Sequence, residues 1–195
     1  MQQIKPKNGG PMKRLRPLWI FSFLLLFTIL AFALTLAKAS LEELTRESVI
    51  IAHGRVVGLE ARWENPSHTA IETAVRFQVD EYLKGSGPAE LEVVQMGGRI
   101  GDFGDVVPGT PHLVKGQELV LFLQSNRGKL EIHSIALGCF RVITKEDGSK
   151  YVMNDLRNIN LVDPETGREI QPEDALTYLP LHTFLSQVRA LVEKK

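Results

Sequence analysis

The chain has 195 residues with 23 basic and 23 acidic side chains, so its formal charge is zero. Six bases (Lys5, Lys7, Lys13, Arg14, Arg16 and Lys38) and no acid fall within residues 1–39, which leaves 17 bases against 23 acids, a net of −6, in the rest. A mildly acidic domain without a basic cluster is unsuited to nucleic acid, and one cysteine, Cys139, excludes an internal disulfide.

The first element in chain order is apolar. Leu18 to Leu36 spans 19 residues, of which only Ser22, Thr28 and Thr35 are polar. A lipid core about 30 Å thick needs a helix of about 20 apolar residues, so this run is long enough to span it. Ala37-Lys38-Ala39 follows directly, and its small residues at Ala37 and Ala39 suit a signal peptidase. Residues 1–39 are therefore expected to be a secretory signal, cleaved after Ala39, or a retained membrane anchor. Both readings agree on orientation. Lys13, Arg14 and Arg16 precede the run while Glu42 and Glu43 follow it, which sends residues 40–195 out of the cytoplasm. The expected location is secreted, periplasmic or membrane-anchored, with membrane contact through the N-terminal segment if it stays uncleaved.

Residues 40–195 read as one β-rich extracytoplasmic domain. Ser40 is an N-cap residue with Glu43 three positions on, which predicts a short helix over 40–48. Val49 to Leu59 reads as a strand bent at Gly54 and Gly58, and 63–69 reads as a loop around Asn65-Pro66-Ser67. Ile71 to Val79 alternates strictly: Ile71, Thr73, Val75, Phe77 and Val79 face one way, and Glu72, Ala74, Arg76 and Gln78 the other. Leu91 to Met96 is a third strand. Leu119 to Leu123 (LVLFL) reads as a central strand buried on both faces. Asn126-Arg127-Gly128 predicts a hairpin into a strand over 130–135, and Glu146-Asp147-Gly148 a second hairpin between 139–144 and 150–153. Asp163 to Asp174 reads as polar loop. Leu181, Phe184, Leu185, Val188, Leu191 and Val192 recur at helical spacing and predict an amphipathic C-terminal helix, with Pro180 in its first turn.

One order of features stands out: a short helix, then Gly54-Arg55-Val56, then Val79-Asp80-Glu81-Tyr82-Leu83-Lys84-Gly85, then Gly116-Gln117-Glu118 leading into Leu119 to Leu123. Over residues 41–143 this resembles a set of uncharacterised secreted bacterial proteins. More distantly, it resembles the netrin-like module of tissue inhibitors of metalloproteinases. The resemblance implies a mainly β fold, a small antiparallel barrel of the oligonucleotide/oligosaccharide-binding type with a helix packed on it. Those inhibitors begin with a cysteine and carry several disulfides, whereas here Ser40 would begin the mature chain and Cys139 stands alone. The inhibitory mechanism is therefore not implied, and only the fold is taken from the resemblance.

The candidate site is the segment from Gly97 to Leu113, GGRIGDFGDVVPGTPHL, with five glycines, two prolines and two aspartates in 17 residues. Glycines let backbone approach a partner closely, and prolines limit the entropy lost on binding. Arg99, Asp102, Phe103, Asp105 and His112 are the expected contact residues. The competing reading is a tight crossover in which glycine merely supplies positive φ. A phosphate loop does not fit, because no Gly-Lys-Ser/Thr follows. The five histidines (His53, His68, His112, His133 and His182) have no local metal-binding spacing, and no catalytic motif or cofactor signature occurs. The expected function is a non-catalytic interaction module at the cell envelope that binds a protein or glycan. The alternatives are a metal-dependent hydrolase with a spatially assembled His/Asp site, or a structural accessory of an envelope complex. Cys139 is expected to act as a small buried hydrophobe, with a reactive thiol as the alternative.

Overall fold

The computed structural model describes residues 35–37, 39–154, 156, 159–162, 166–170 and 177–194. The apolar run up to residue 34, Lys38 and most of the polar loop expected over 163–174 lie outside the described residues. By contact the chain divides into Met1–Phe32 and Ala33–Lys195, and the second unit holds all the elements that follow.

Helix α1 (Leu41–Glu47) starts where its sequence signal lies. The Ser40 hydroxyl accepts a hydrogen bond from the Glu43 amide at 3.1 Å, satisfying one of the amides left over at a helix start. Strands β2 (Ile50–Trp63) and β3 (Ile71–Lys84) form a long antiparallel pair from Ile51↔Lys84 to Trp63↔Ile71. The register shifts beside His53/Gly54 and Val56/Gly58, so both glycines mark irregularities as expected. Trp63 belongs to β2 rather than to the loop. The pair extends further than its apolar pattern because the short 64–70 turn, tied by Glu64 N–H to Ala70 C=O at 3.0 Å, holds the strand ends together.

Strands β4 (Glu90–Met96), β7 (Glu118–Asn126), β8 (Lys129–Ile132), β9 (Cys139–Thr144), β10 (Lys150–Asn154) and β13 (Tyr178–Pro180) complete an eight-stranded mixed sheet. Its order is β13-β10-β9-β7-β2-β3-β4-β8, and β8 also pairs back onto β7. Five of the strands thus curl into a partial ring, in which β4 and β8 run parallel through only Val93↔Leu130 and Val94↔Glu131. The β7–β8 turn places Arg127 (φ 49°) and Gly128 (φ 81°) between paired Asn126 and Lys129, the two-residue hairpin geometry that matches strand twist. The strand expected over 130–135 stops at Ile132 in β8, and Ile135 instead begins a short 3-10 helix, Ile135–Gly138. The short strands β5 (Gly98–Ile100) and β6 (Phe103–Asp105) form their own hairpin. Three further strands, β1 (Thr35–Ala37), β11 (Asn160–Val162) and β12 (Glu169–Ile170), form a small separate sheet with β1 parallel to β11. The last residues of the expected export segment are therefore backbone-paired.

The LVLFL strand explains the core. Side chains alternate along β7, so Leu119, Leu121 and Leu123 join Val56, Val75, Phe77 and Val93 inside the partial ring. Val120 and Phe122 face the opposite way, into a second cluster with Phe140, Val152, Phe184 and Val188. All five residues from Leu119 to Leu123 are fully buried because both faces are covered. The outer cover is helix α2 (Leu181–Glu193), whose Leu181, Phe184, Leu185 and Val188 are buried as its periodicity predicts. Pro180 serves as its N-cap residue rather than lying in the first turn. Cys139 is buried in the inner cluster.

Candidate functional site

Strand β4 ends at Met96, and the chain turns through Gly97 (φ 89°) and Gly98 (φ 147°). A β-carbon on Gly98 would lie 2.6 Å from Thr73 Oγ1 and 3.2 Å from both Ala61 and Ile71, so the β5 backbone rests directly on the β2–β3 pair. This close approach fixes the base of the β5–β6 hairpin. Thr73 adds a hydrogen bond from its hydroxyl to the Gly97 carbonyl at 2.7 Å.

The hairpin register decides which side chains work together. Gly98 pairs with Asp105, Arg99 with Gly104, and Ile100 with Phe103. Successive pairs alternate faces, so Phe103 and Asp105 share one face and Arg99 takes the other. The Phe103 face looks onto the end of the β2–β3 hairpin. There the Phe103 ring meets Trp63 edge-on at 5.8 Å, and His68 stacks on Trp63 at 4.8 Å with planes 19° apart. Phe103 nevertheless keeps 67% of its surface exposed. These rings, with Asp105, Thr69 and Ala70, bound an open groove of about 280 Å³.

The turn that carries His68 is tied down locally. Asn65 donates from Nδ2 to Thr69 Oγ1 at 2.8 Å, the His68 amide donates to the Asn65 carbonyl at 3.1 Å, and His68 sits at φ 53°. Asn65-Pro66-Ser67 is legible as turn chemistry, but a lone histidine beside it gives no sign that the turn lays it on Trp63.

Of the expected contact residues, Phe103 and Asp105 come together in this groove. Arg99 is exposed on the opposite hairpin face, and its Nε donates to the Gly101 carbonyl at 3.0 Å. Asp102 is exposed at the hairpin tip. His112 is exposed beyond the hairpin and is not part of the groove lining, and its carbonyl accepts from Arg141 Nη2 at 3.4 Å.

Two buried carboxylates carry no signal in the sequence. Glu118 on β7, 8% exposed, accepts from Lys150 Nζ at 2.9 Å to both oxygens, from Arg55 Nη2 at 3.3 Å, and lies 2.9 Å from His53 Nε2. Burial pushes its carboxyl up, but the bonds from Lys150 and His53 outweigh that and hold it below the usual carboxylate range. Glu72 on β3, 5% exposed, is paired with Arg62 at 2.9 Å and with Lys129 at 2.5 Å. Burial again pushes up, and the bonds from Lys129 and Arg62 bring the net value down. Arg62, ten residues from Glu72, faces it across the β2–β3 pair, but Lys129 and all three Glu118 partners lie 32 or more residues away, so local spacing does not reveal either set.

Among the described residues, no three His, Cys, Asp or Glu side chains gather closely enough to hold a metal ion. His53 and Glu118 are joined by the cations of Lys150 and Arg55. Among the described residues no helix is long and apolar enough to cross a membrane, and the expected anchor lies outside them up to residue 34.

Compared with known proteins, the chain matches no family model and no curated sequence.

Proposed function

We propose that this chain is an exported, non-catalytic interaction module that holds an extracytoplasmic protein or glycan at the cell envelope through its 97–113 segment. The observation that carries the reading is Phe103. A ring that is 67% exposed stands on a hairpin seated against the β2–β3 pair and meets Trp63 edge-on. Leaving that much aromatic surface in water is unfavourable for the free domain. An aromatic anchor held in place loses little entropy on binding, which is why such rings dominate many interfaces. The Asp105 carboxylate at the groove edge suits a hydroxyl or amide donor on the partner. Arg99 and Asp102 extend the contact on the other hairpin face and at its tip.

The scaffold we assign is a barrel of the oligonucleotide/oligosaccharide-binding type, related to netrin-like modules and to the secreted bacterial proteins that share its feature order. Two facts support it: the strand sequence around the ring, β2-β3-β4-β8-β7 and back to β2, and the parallel β4–β8 contact between its ends. In barrels of that type, ligands meet the strand faces and the loops at one end, and the Trp63–His68–Phe103 cluster joins the end of β2, the turn that follows it and the β5–β6 hairpin. Export through residues 1–39 places the domain outside the cytoplasm, and retention of that segment would hold the groove close to the membrane.

The test is capture from an envelope extract and from a glycan array, using the immobilised full chain and its Phe103→Ala and Arg99→Ala variants. Phe103→Ala is expected to weaken capture at least tenfold, about the loss of one aromatic anchor, with a smaller effect for Arg99→Ala. A partner profile unchanged by both substitutions removes the segment from the function.

A further inference from the structure

The ring has a gap in its wall, separate from the aromatic groove. Strands β4 and β8 pair in parallel only as far as Val94↔Glu131. Beyond that point β4 continues through Gln95 and Met96, whereas β8 ends at Ile132. The chain then reverses through Ser134 at φ 51° and Ile135 at φ 55°. Two consecutive non-glycine residues in the left-handed region are rare, and a β-branched one is a true outlier that persists only where its surroundings hold it. This reversal parts the two strands, and the 107–111 segment adds Val107, Thr110 and buried Pro111 to the lining there. The result is a cavity of about 290 Å³ with a mainly apolar wall of Val94, Met96, Val107, Pro111, Ile132 and Ile135.

Its polar lining is mostly engaged elsewhere. Glu131 accepts from Asn126 at 3.0 Å, Gln124 Oε1 lies 2.7 Å from His133 Nδ1, and the Thr110 hydroxyl donates to the Val107 carbonyl. Gln95 is different. Its Oε1 is buried and has no hydrogen-bond partner among the described residues. A buried acceptor left unpaired is costly and uncommon in a folded protein. The terminal torsion of a glutamine is soft, so the carboxamide can turn this acceptor toward a donor in the cavity.

We propose that this cavity is a binding site for a small, neutral, largely apolar molecule carrying one hydrogen-bond donor, which the Gln95 carboxamide oxygen accepts. The volume sits just below the range for ligand sites, roughly 300–1,000 Å³, which suits one or two rings and not a nucleotide-sized cofactor. Among the described residues no Lys or Arg lines the cavity, so an anion gains nothing there. The apolar wall supplies the affinity and Gln95 the selectivity, because a site with a buried acceptor discriminates against an isostere that cannot pair with it.

The test uses indole and benzofuran, which share a shape and differ in the N–H donor, titrated onto the full chain in lipid nanodiscs. The readout is the methyl NMR signals of Met96, Ile132 and Ile135. Indole is expected to shift these signals saturably, with benzofuran at least tenfold weaker. Gln95→Leu should abolish that preference while keeping benzofuran binding. Val107→Trp, which fills the cavity and leaves Gln95 in place, should remove both ligands and decides the matter if Gln95→Leu fails to fold. Absence of saturable shifts with indole, or equal binding of the two probes to the native chain, overturns the proposal.

Discussion

At the residue scale, the five glycines of the 97–113 segment do different work. Gly97 and Gly98 are the two that packing requires. At the Gly98 φ of 147°, a β-carbon would come within 2.6 Å of Thr73 Oγ1, and one on Gly97 would come within 2.8 Å of the Asp105 carbonyl oxygen. Gly101 sits at φ 58° in the hairpin turn with open space around it, and Gly104 is equally uncrowded. The expected outcome follows from that contrast. Gly98→Ala should lower stability by about 1–3 kcal/mol, through strain at positive φ and displacement of Thr73 or Ile71. Gly104→Ala should leave it within about 0.5 kcal/mol. Denaturant unfolding of the two variants checks this, and equal losses would mean that the hairpin is not seated on the β2–β3 pair. Composition shows the glycine-rich segment but cannot separate these roles, because the clash at Gly98 comes from Ala61, Ile71 and Thr73, on strands formed much earlier in the chain.

At the element scale, legibility follows periodicity. LVLFL and the 181–193 helix carry strong patterns, and both sit where those patterns place them. The α1 cap is legible because Ser40 and Glu43 are close in sequence. The failures are at ends. Asn65-Pro66-Ser67 points to a loop that includes Trp63, yet the strand pairing runs through Trp63. Ile135 is apolar and β-branched and so reads as strand, yet the chain reverses through Ser134 and Ile135 itself. Glu72 and Ala74 alternate onto the outward face of β3 and are buried all the same, Glu72 beneath two cations supplied by β2 and β8. Tertiary contacts decide such positions and propensity does not. Helix α2 offers the cleanest element-level test. Phe184 is fully buried, 4.7 Å from Phe140 and 6.4 Å from Phe122 between ring centroids. Phe184→Ala should cost about 3–5 kcal/mol, the usual range for an aromatic removed from a core. The exposed control His182→Ala should cost little. A loss below about 1 kcal/mol, read from urea midpoints, would mean that α2 contributes little to folding.

At the scale of the whole molecule, the two buried carboxylates act as cross-links. Glu118 ties β7 to His53 and Arg55 on β2 and to Lys150 on β10, so it joins the partial ring to the outer sheet. Glu72 ties β3 to Arg62 on the neighbouring β2 and to Lys129 on β8, two strands away in the ring order. Both carboxyls are held below the ordinary range in the folded chain. A folded value below the unfolded one means that the unfolded chain binds protons more readily as pH falls. The stabilisation is therefore complete above the unfolded carboxylate range of about 4.3 and is lost progressively as pH drops through the depressed folded values. Urea midpoints measured from pH 7 down to pH 2 should stay level until about pH 5 and then fall. Glu118→Gln and Glu72→Gln should each lower the pH 7 level by about 1–3 kcal/mol and flatten the acid limb. The loss should sit toward the lower end, because Arg55, Lys150, Arg62 and Lys129 each keep more than a third of their surface in water and can be hydrated when their partner is gone. If the double variant shows the same acid limb as the native chain, the acid sensitivity lies in other carboxylates and these two serve only as packing. If the limb flattens, the two carboxylates carry the acid sensitivity, and through Glu118 the hold of the ring on β10 weakens as pH falls.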